Sequence, residues 1–331
     1  MNRTTPLLFV GDQHVADNPP RFCTDAYLED LWHILEDFIP QTLEELSESV
    51  PAQAVLAGDL FHHKAPSRTS HRTVSRLMAA FDSWPSTPLV LAGNHDITHD
   101  RLDSIPDSPL GVLLEAEVVE LVQPSSRFEL GGGHVLAGLP WLGDTVTKDS
   151  VMQGIDALNG ATVLVAHAPL YPPGQELPFE NWDVAALVDL LPQSVTHVYY
   201  GHVHDFHGTW TFDAGDRLVT FCNHGAITRG SIAESDLSRP LGVTLFNGEF
   251  RFIDYTERLH TPDELFRLAH HQDVSDKRAS AGGWVSAVQN IHVAARGMGP
   301  MVRALDAIDG DYDEHTRLRA RELLHEVGQN E

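Results

Sequence analysis

Residues 90–96 read VLAGNHD, and the same tetrapeptide VLAG recurs at 55–58, running into Asp59, and at 135–138, running into Leu139, Pro140 and Trp141. The flanks of the three copies do not align, so this is no internal repeat. An apolar run closed by glycine is how a buried strand ends in a turn. The tetrapeptide is punctuation, and the chemistry lies in the residues that follow it.

Working outward, short apolar runs alternate with amphipathic stretches, the pattern of an α/β domain. Strands are expected at 7–11, 53–57, 88–92, 135–139, 162–166 and 196–200. Between the first two, Leu28, Leu31, Leu35, Phe38, Thr42 and Leu46 mark one face of a helix that Pro40 should kink or divide. A second helix is expected over 68–84, with Ser67 as N-cap and Pro85 as stop. From about 206 the texture changes to β-hairpins, with turns at 213–216 and at Asn247-Gly248. After Tyr255 it turns helical, around 262–271, 279–296 and 313–327. These shifts divide the chain into a catalytic domain over 1–256 and a helical extension over 257–331.

The composition narrows the class. With 331 residues, 42% of them hydrophobic, the chain can bury a large core. Cys23 and Cys222 match no metal or redox spacing, so a reducing cytoplasm is the simplest setting. The run Pro6 to Val10 is too short for a signal peptide, and no segment approaches the roughly 18 apolar residues of a membrane span. The formal charge of −25 argues against a broad basic surface for nucleic acid. Twenty histidines are many for this length, and neutral imidazole is a common metal ligand.

A strand that runs into a tight turn delivers its next side chains to the carboxyl edge of the sheet, where α/β folds bind ligands. FVGDQH delivers Asp12 and His14, VLAGD delivers Asp59, and VLAGNHD delivers Asn94, His95 and Asp96. VLVAH delivers His167, and VYYGHVH delivers His202 and His204. VLAGLPW, by contrast, offers no ligand. Each piece is weak alone; the set of carboxylates, a carboxamide and imidazoles suits two first-row divalent metals. Two such ions bring +4 and the two aspartates remove two, which leaves positive charge for a phosphodiester anion. Asparagine at 94 preserves that field where aspartate would lower it.

The series Asp12-x-His14, Gly58-Asp59, Gly93-Asn94-His95-Asp96, His167 and Gly201-His202-x-His204 resembles the five-motif signature of the calcineurin-like metallophosphoesterases. Within that superfamily, GDLFHHKAPS at 58–67 and GAITRGSI at 225–232 resemble the SbcD-type DNA repair nucleases and the phage recombination nuclease subunits. The resemblance implies an α/β fold: a β-sandwich of two mixed sheets flanked by helices, with a small C-terminal helical extension. It implies that Asp12, His14, Asp59 and His204 hold one metal, and that Asp59, Asn94, His167 and His202 hold the other. Manganese is the implied metal, and the same ligands also take iron or zinc. His95 is the implied catalytic imidazole, oriented or charged by Asp96, in a two-metal in-line hydrolysis.

The resemblance further places His62 and Arg229 as candidate substrate contacts, and Arg21 as a weaker one. The implied partners are DNA and an SbcC-type ATPase bound through the C-terminal helices, where Trp284, Val285, Val288, Ile291 and Val293 offer a docking face; a homodimer is a further expectation. About 75 residues follow the catalytic domain, so helices are expected without a full capping domain. The leading reading is therefore a DNA exo- or endonuclease subunit in repair or recombination. A stand-alone phosphoesterase for a small phosphodiester or phosphoprotein suits the acidic charge. A catalytically silent scaffold predicts eroded ligands, and the full set is present.

Overall fold

Leu7–Val10 (β1) is buried at every position because it is a central strand with neighbours on both sides. Gln53–Leu56 (β2) pairs with it in parallel, followed outward by Leu89–Val90 (β3) and Glu120–Leu121 (β4), also parallel. On its other side Gly242–Phe246 (β11) and Phe250–Asp254 (β12) add antiparallel, so the sheet is mixed, in the order β12-β11-β1-β2-β3-β4. The second sheet begins with the hairpin of Phe128–Gly131 (β5) and His134–Leu139 (β6). Val163–His167 (β7), His197–Gly201 (β8) and Leu218–Asn223 (β10) continue it in parallel, and Gly208–Asp213 (β9) closes the edge antiparallel to β10. This computed structural model describes residues 4–47, 50–143, 158–174 and 181–267.

Strand alternation decides which residues meet between the sheets. Leu7, Phe9, Val55 and Leu89 of the first sheet pack against Leu136, Val163, Val165 and Tyr199 of the second. Phe9 and Tyr199 stack across the gap with ring centroids 4.6 Å apart. The odd-one-out neighbours Ala137, Leu164, Ala166, Val198 and Tyr200 face outward, under Val184–Leu190 (α5) and Trp182. Burial on both faces explains why these strands read as continuous apolar runs.

The first helix is divided ahead of Pro40 as expected, and the second is corrected at its start. The first helix is Ala26–His33 (α1), a π segment at Ile34–Phe38, and Ile39–Leu46 (α2), with helical dihedrals maintained through both junctions. Pro40 has no N–H to donate and would clash with the turn before it. The π segment absorbs this: the Ile39 N–H bonds Ile34 O, five residues back, and Pro40 falls in the first turn of α2. Of the expected face, Leu31, Leu35, Phe38 and Thr42 are buried and Leu28 and Leu46 partly so, and Tyr27, Ile34, Ile39 and Leu43 are buried beside them. The second helix, His71–Asp82 (α3), is capped by Ser70, whose hydroxyl accepts the Thr73 N–H, and not by Ser67, which lies in a 3-10 turn at Pro66–Arg68.

After β12 the chain stays on the sandwich through Pro262–Leu265 (α7). Thr24 N–H donates to Leu265 O at 2.8 Å, and His260 Nδ1 lies 2.7 Å from Asp30 on α1. The unit ends at Phe266. The helices expected over 279–296 and 313–327, with the face from Trp284 to Val293, lie outside the described residues.

Candidate functional site

The carboxyl ends of β1, β2, β3, β7 and β8 point to one edge of the sandwich, and the loops that follow them interlock. His14 N–H donates to Asp59 O at 2.9 Å, Val15 N–H to Leu60 O at 2.8 Å, and His62 N–H to Val15 O at 3.0 Å. In these tight turns His14, Asp59 and His202 take φ of 47°, 52° and 84°. Non-glycine residues adopt that region at a cost, and three of them meeting at one place mark a site where side-chain aim matters more than relaxed backbone. Gly93 shows how close the approach is: a Cβ there would collide with the Asp59 carboxylate and its N–H.

The structure brings the seven sequence-identified donors into two adjoining sets. In one, His204 Nε2 lies 3.3 Å from Asp12 Oδ2 and 2.9 Å from His14 Nε2, which stands 3.7 Å from Asp59 Oδ2. In the other, Asn94 Oδ1 lies 3.0 Å from both His167 Nε2 and His202 Nδ1, and His167 Nε2 is 3.3 Å from Asp59 Oδ1. The two oxygens of Asp59 therefore face different sets. Asp12 also accepts the His202 N–H on both oxygens, at 3.1 and 3.0 Å, holding that turn in place.

These contacts fit divalent cations. His167 donates its Nδ1–H to Ala57 O at 2.8 Å, so in the neutral ring Nε2 presents a lone pair to two oxygens. Lone pair facing lone pair is repulsive without a cation between them. Burial holds His14 and His202 down, to about 3 and about 4, so both are neutral imidazoles, the ligand form. Burial also pushes His167 down, but the Asp59 and Asp12 carboxylates outweigh it and raise the ring to about 9. Two buried carboxylates thus draw positive charge to the site, and among the described residues no lysine or arginine pairs with them.

His95 stands beside the first set, its ring centroid 4.9 Å from that of His14. Its Nδ1 donates to His62 O at 2.7 Å, and its main-chain N–H donates to Asp59 Oδ1 at 2.7 Å. Asp96 does not orient this ring, which corrects the expectation. Its buried carboxylate accepts the N–H groups of Gly93 at 3.0 Å, Phe61 at 3.1 Å and Leu60 at 3.3 Å, tying the loop after β3 to the loop after β2. Burial, with Asp59 nearby, raises its carboxyl to about 7.

The other candidates separate. The His62 side chain is exposed beside His95, with ring centroids 5.7 Å apart. Arg229 is not at the substrate face: it is buried, its Nε donating to Asp236 O at 3.0 Å and an Nη to Arg239 O at 2.7 Å. With Arg239, which bonds Asp236, Ala226 and Thr228, it holds together the loop whose Ile227 N–H reaches Asp12 O. GAITRGSI is architecture for the first ligand. Sequence reading also missed Trp141. Its indole packs on His202 with centroids 4.6 Å apart, and its Nε1–H donates to Asp100 at 2.9 Å. The strand that offers no ligand supplies the wall of the second set, a role that no spacing rule reveals.

A family model described as calcineurin-like phosphoesterase matches residues 5–206. No curated protein matches. Among solved structures, TT1561 of Thermus thermophilus is 14% identical, covering 76% of this chain and 99% of that one at a TM-score of 0.44. A 5'-nucleotidase precursor from Thermus thermophilus is 13% identical (82% and 59% covered, TM-score 0.42), and the NAD nucleotidase of Haemophilus influenzae is 11% identical (99% and 61%, 0.44). Among the described residues no helix is long and apolar enough to cross a membrane. The family match spans all five ligand-bearing turns, and this chain belongs to the calcineurin-like metallophosphoesterases, metal-dependent phosphoester hydrolases built on two mixed sheets flanked by helices.

Proposed function

We propose that the chain is a two-metal phosphodiesterase acting on DNA, the nuclease subunit of an SbcD-type repair or recombination system. The observation that carries the hydrolytic reading is Asp59, whose two oxygens face separate donor sets while its Oδ1 also anchors the main chain of His95. Asp12, His14 and His204 with one Asp59 oxygen would hold one ion; Asn94, His167 and His202 with the other would hold the second. When bound, divalent ions neutralise the phosphodiester and activate water for attack on phosphorus. The mixture of carboxylate, carboxamide and imidazole donors suits manganese, and iron or zinc as alternatives.

The protein's own groups do the rest. The His62 carbonyl only accepts, so His95 keeps its hydrogen on Nδ1 in every protonation state. A proton on Nε2 is then the one given to the leaving oxygen, and the ring returns to neutral without losing its anchor. Trp141 covers one side of the His202 ring, which lowers the dielectric around the fixed dipoles there.

Support for DNA comes from Leu60–Phe81, which carries Lys64, Arg68, Arg72 and Arg76 and no carboxylate, in a chain of formal charge −25. Arg76 is committed to Glu36, but Arg68 and Arg72 are exposed, and Arg68 is within electrostatic reach of His63 beside the site. The run provides local phosphate attraction that the whole molecule lacks. An SbcC-type ATPase docking through residues 267–331 belongs to the same proposal. The net charge favours a second reading, a small phosphodiester or phosphoprotein as substrate. Hydrolysis of single-stranded and duplex DNA is compared with bis-p-nitrophenyl phosphate in manganese, for wild type and His95→Ala. DNA cleavage lost in His95→Ala supports the nuclease; cleavage of the small ester alone, even with a cognate ATPase, supports the second reading.

A further inference from the structure

We infer that His14, His62 and His95 form a zinc site, overlapping the first donor set at His14, that shuts the enzyme off. One ring nitrogen from each lies within 4.8 Å of the others. Their ring centroids are 5.5 Å apart for His14 and His62, 4.9 Å for His14 and His95, and 5.7 Å for His62 and His95. In a tetrahedral zinc site the nitrogens stand roughly 3.3–3.5 Å apart. Zinc would draw these nitrogens closer, and the His62 side chain is exposed to solvent. His95 offers Nε2, because its Nδ1 is held by the His62 carbonyl.

The donor chemistry separates this trio from the two mixed sets. It contains no carboxylate, so it suits zinc, whereas the sets built on Asp12 and Asp59 accept manganese. A neutral imidazole has one lone-pair nitrogen, so His14 serves one ion at a time. Zinc on the trio therefore takes His14 away from Asp12 and His204, and it occupies the Nε2 of His95 that the reaction uses. Both losses inhibit. The inference rests on the proposed use of His14 and His95, but not on the identity of the substrate.

Manganese-loaded protein is titrated with zinc while free manganese is followed by electron paramagnetic resonance, in wild type, His62→Asn and His63→Asn. His62 is the one trio member outside both mixed sets. The expected result is that His62→Asn needs at least tenfold more zinc for half-displacement, with a parallel shift in half-inhibition of bis-p-nitrophenyl phosphate hydrolysis, while His63→Asn follows wild type. Curves for wild type and His62→Asn that agree within twofold overturn the inference, because zinc would then simply be replacing manganese among Asp12, His14 and His204. Calorimetric zinc titration of the metal-free protein reads the same difference without manganese or substrate. A zinc affinity unchanged in His62→Asn overturns the site, whatever the outcome with DNA.

Discussion

The Nδ1 of His95 stands 2.7 Å from the main-chain carbonyl oxygen of His62, so the imidazole proposed as the acid is oriented by the loop after β2 and not by its chain neighbour Asp96. The group that orients the ring and the ring proposed to move the proton therefore lie on different loops, and replacing them should have different effects.

If His95 acts on the leaving oxygen and not on a metal, His95→Asn lowers kcat by about 10²–10⁴, the usual size of a lost acid–base group. Steady-state kinetics should show KM little changed, and metal analysis should show both ions retained. Loss of one ion in this variant would move His95 from the chemistry to the ligand set.

Asp96 acts through the backbone. Asp96→Ala leaves the N–H groups of Gly93, Leu60 and Phe61 without their buried acceptor, each costing about 1–3 kcal/mol. A large fall in Tm is expected together with loss of activity, whereas His95→Asn loses activity with Tm unchanged. Asp96→Asn keeps one oxygen acceptor and should fall between wild type and Asp96→Ala. An Asp96→Ala protein of wild-type Tm would restore the simpler view that the carboxylate serves His95 alone.

Trp141 holds the His202 ring by packing, with its own indole fixed by Asp100. Support of this kind behind a metal ligand is worth about 10–100-fold in metal affinity. Trp141→Ala should weaken one of two metal-binding steps by that factor, read by calorimetry, and leave the other near wild type; Trp141→Phe should lose less. Equal weakening of both steps would indicate general loosening of the fold.

His260 ties the segment after β12 to α1. Its hydrogen bond to Asp30, and the charges of Asp30, Glu29 and Glu264, raise its pKa above the ordinary histidine value. A raised folded pKa stabilises fully below the unfolded value, and the effect is lost as pH rises through the folded value. Hydrogen exchange at Thr261 to Leu265, corrected for intrinsic rates, should therefore speed up as pH rises from 6 toward 9. The change should vanish in His260→Ala, and an unchanged pH response in that variant would assign the tether to the α7 cap alone.

The candidate ligands were legible because six of the seven sit one to three residues past a glycine-closed apolar run, His167 itself ends an apolar run, and strand geometry fixes where such residues go. What escaped reading depends on contacts distant in sequence. Trp141 meets His202 only because β6 and β8 flank β7, and Arg229 points inward because carbonyls of Asp236 and Arg239 wait for it. Local competition explains the cap: Ser70, unlike Ser67, is held by Asp17, which accepts its N–H and hydroxyl. Pro40 divides the first helix through a π turn, a device that its sequence position predicts in place but not in kind.

The central claim is that Asp59 joins two metal sites. Anomalous diffraction at the manganese edge, on crystals grown with manganese, tests it most directly. Two peaks are expected about 3.5–4 Å apart, one among Asp12, His14 and His204, the other among Asn94, His167 and His202, each bonded to one Asp59 oxygen. A single peak, or two that do not share Asp59, would contradict the account.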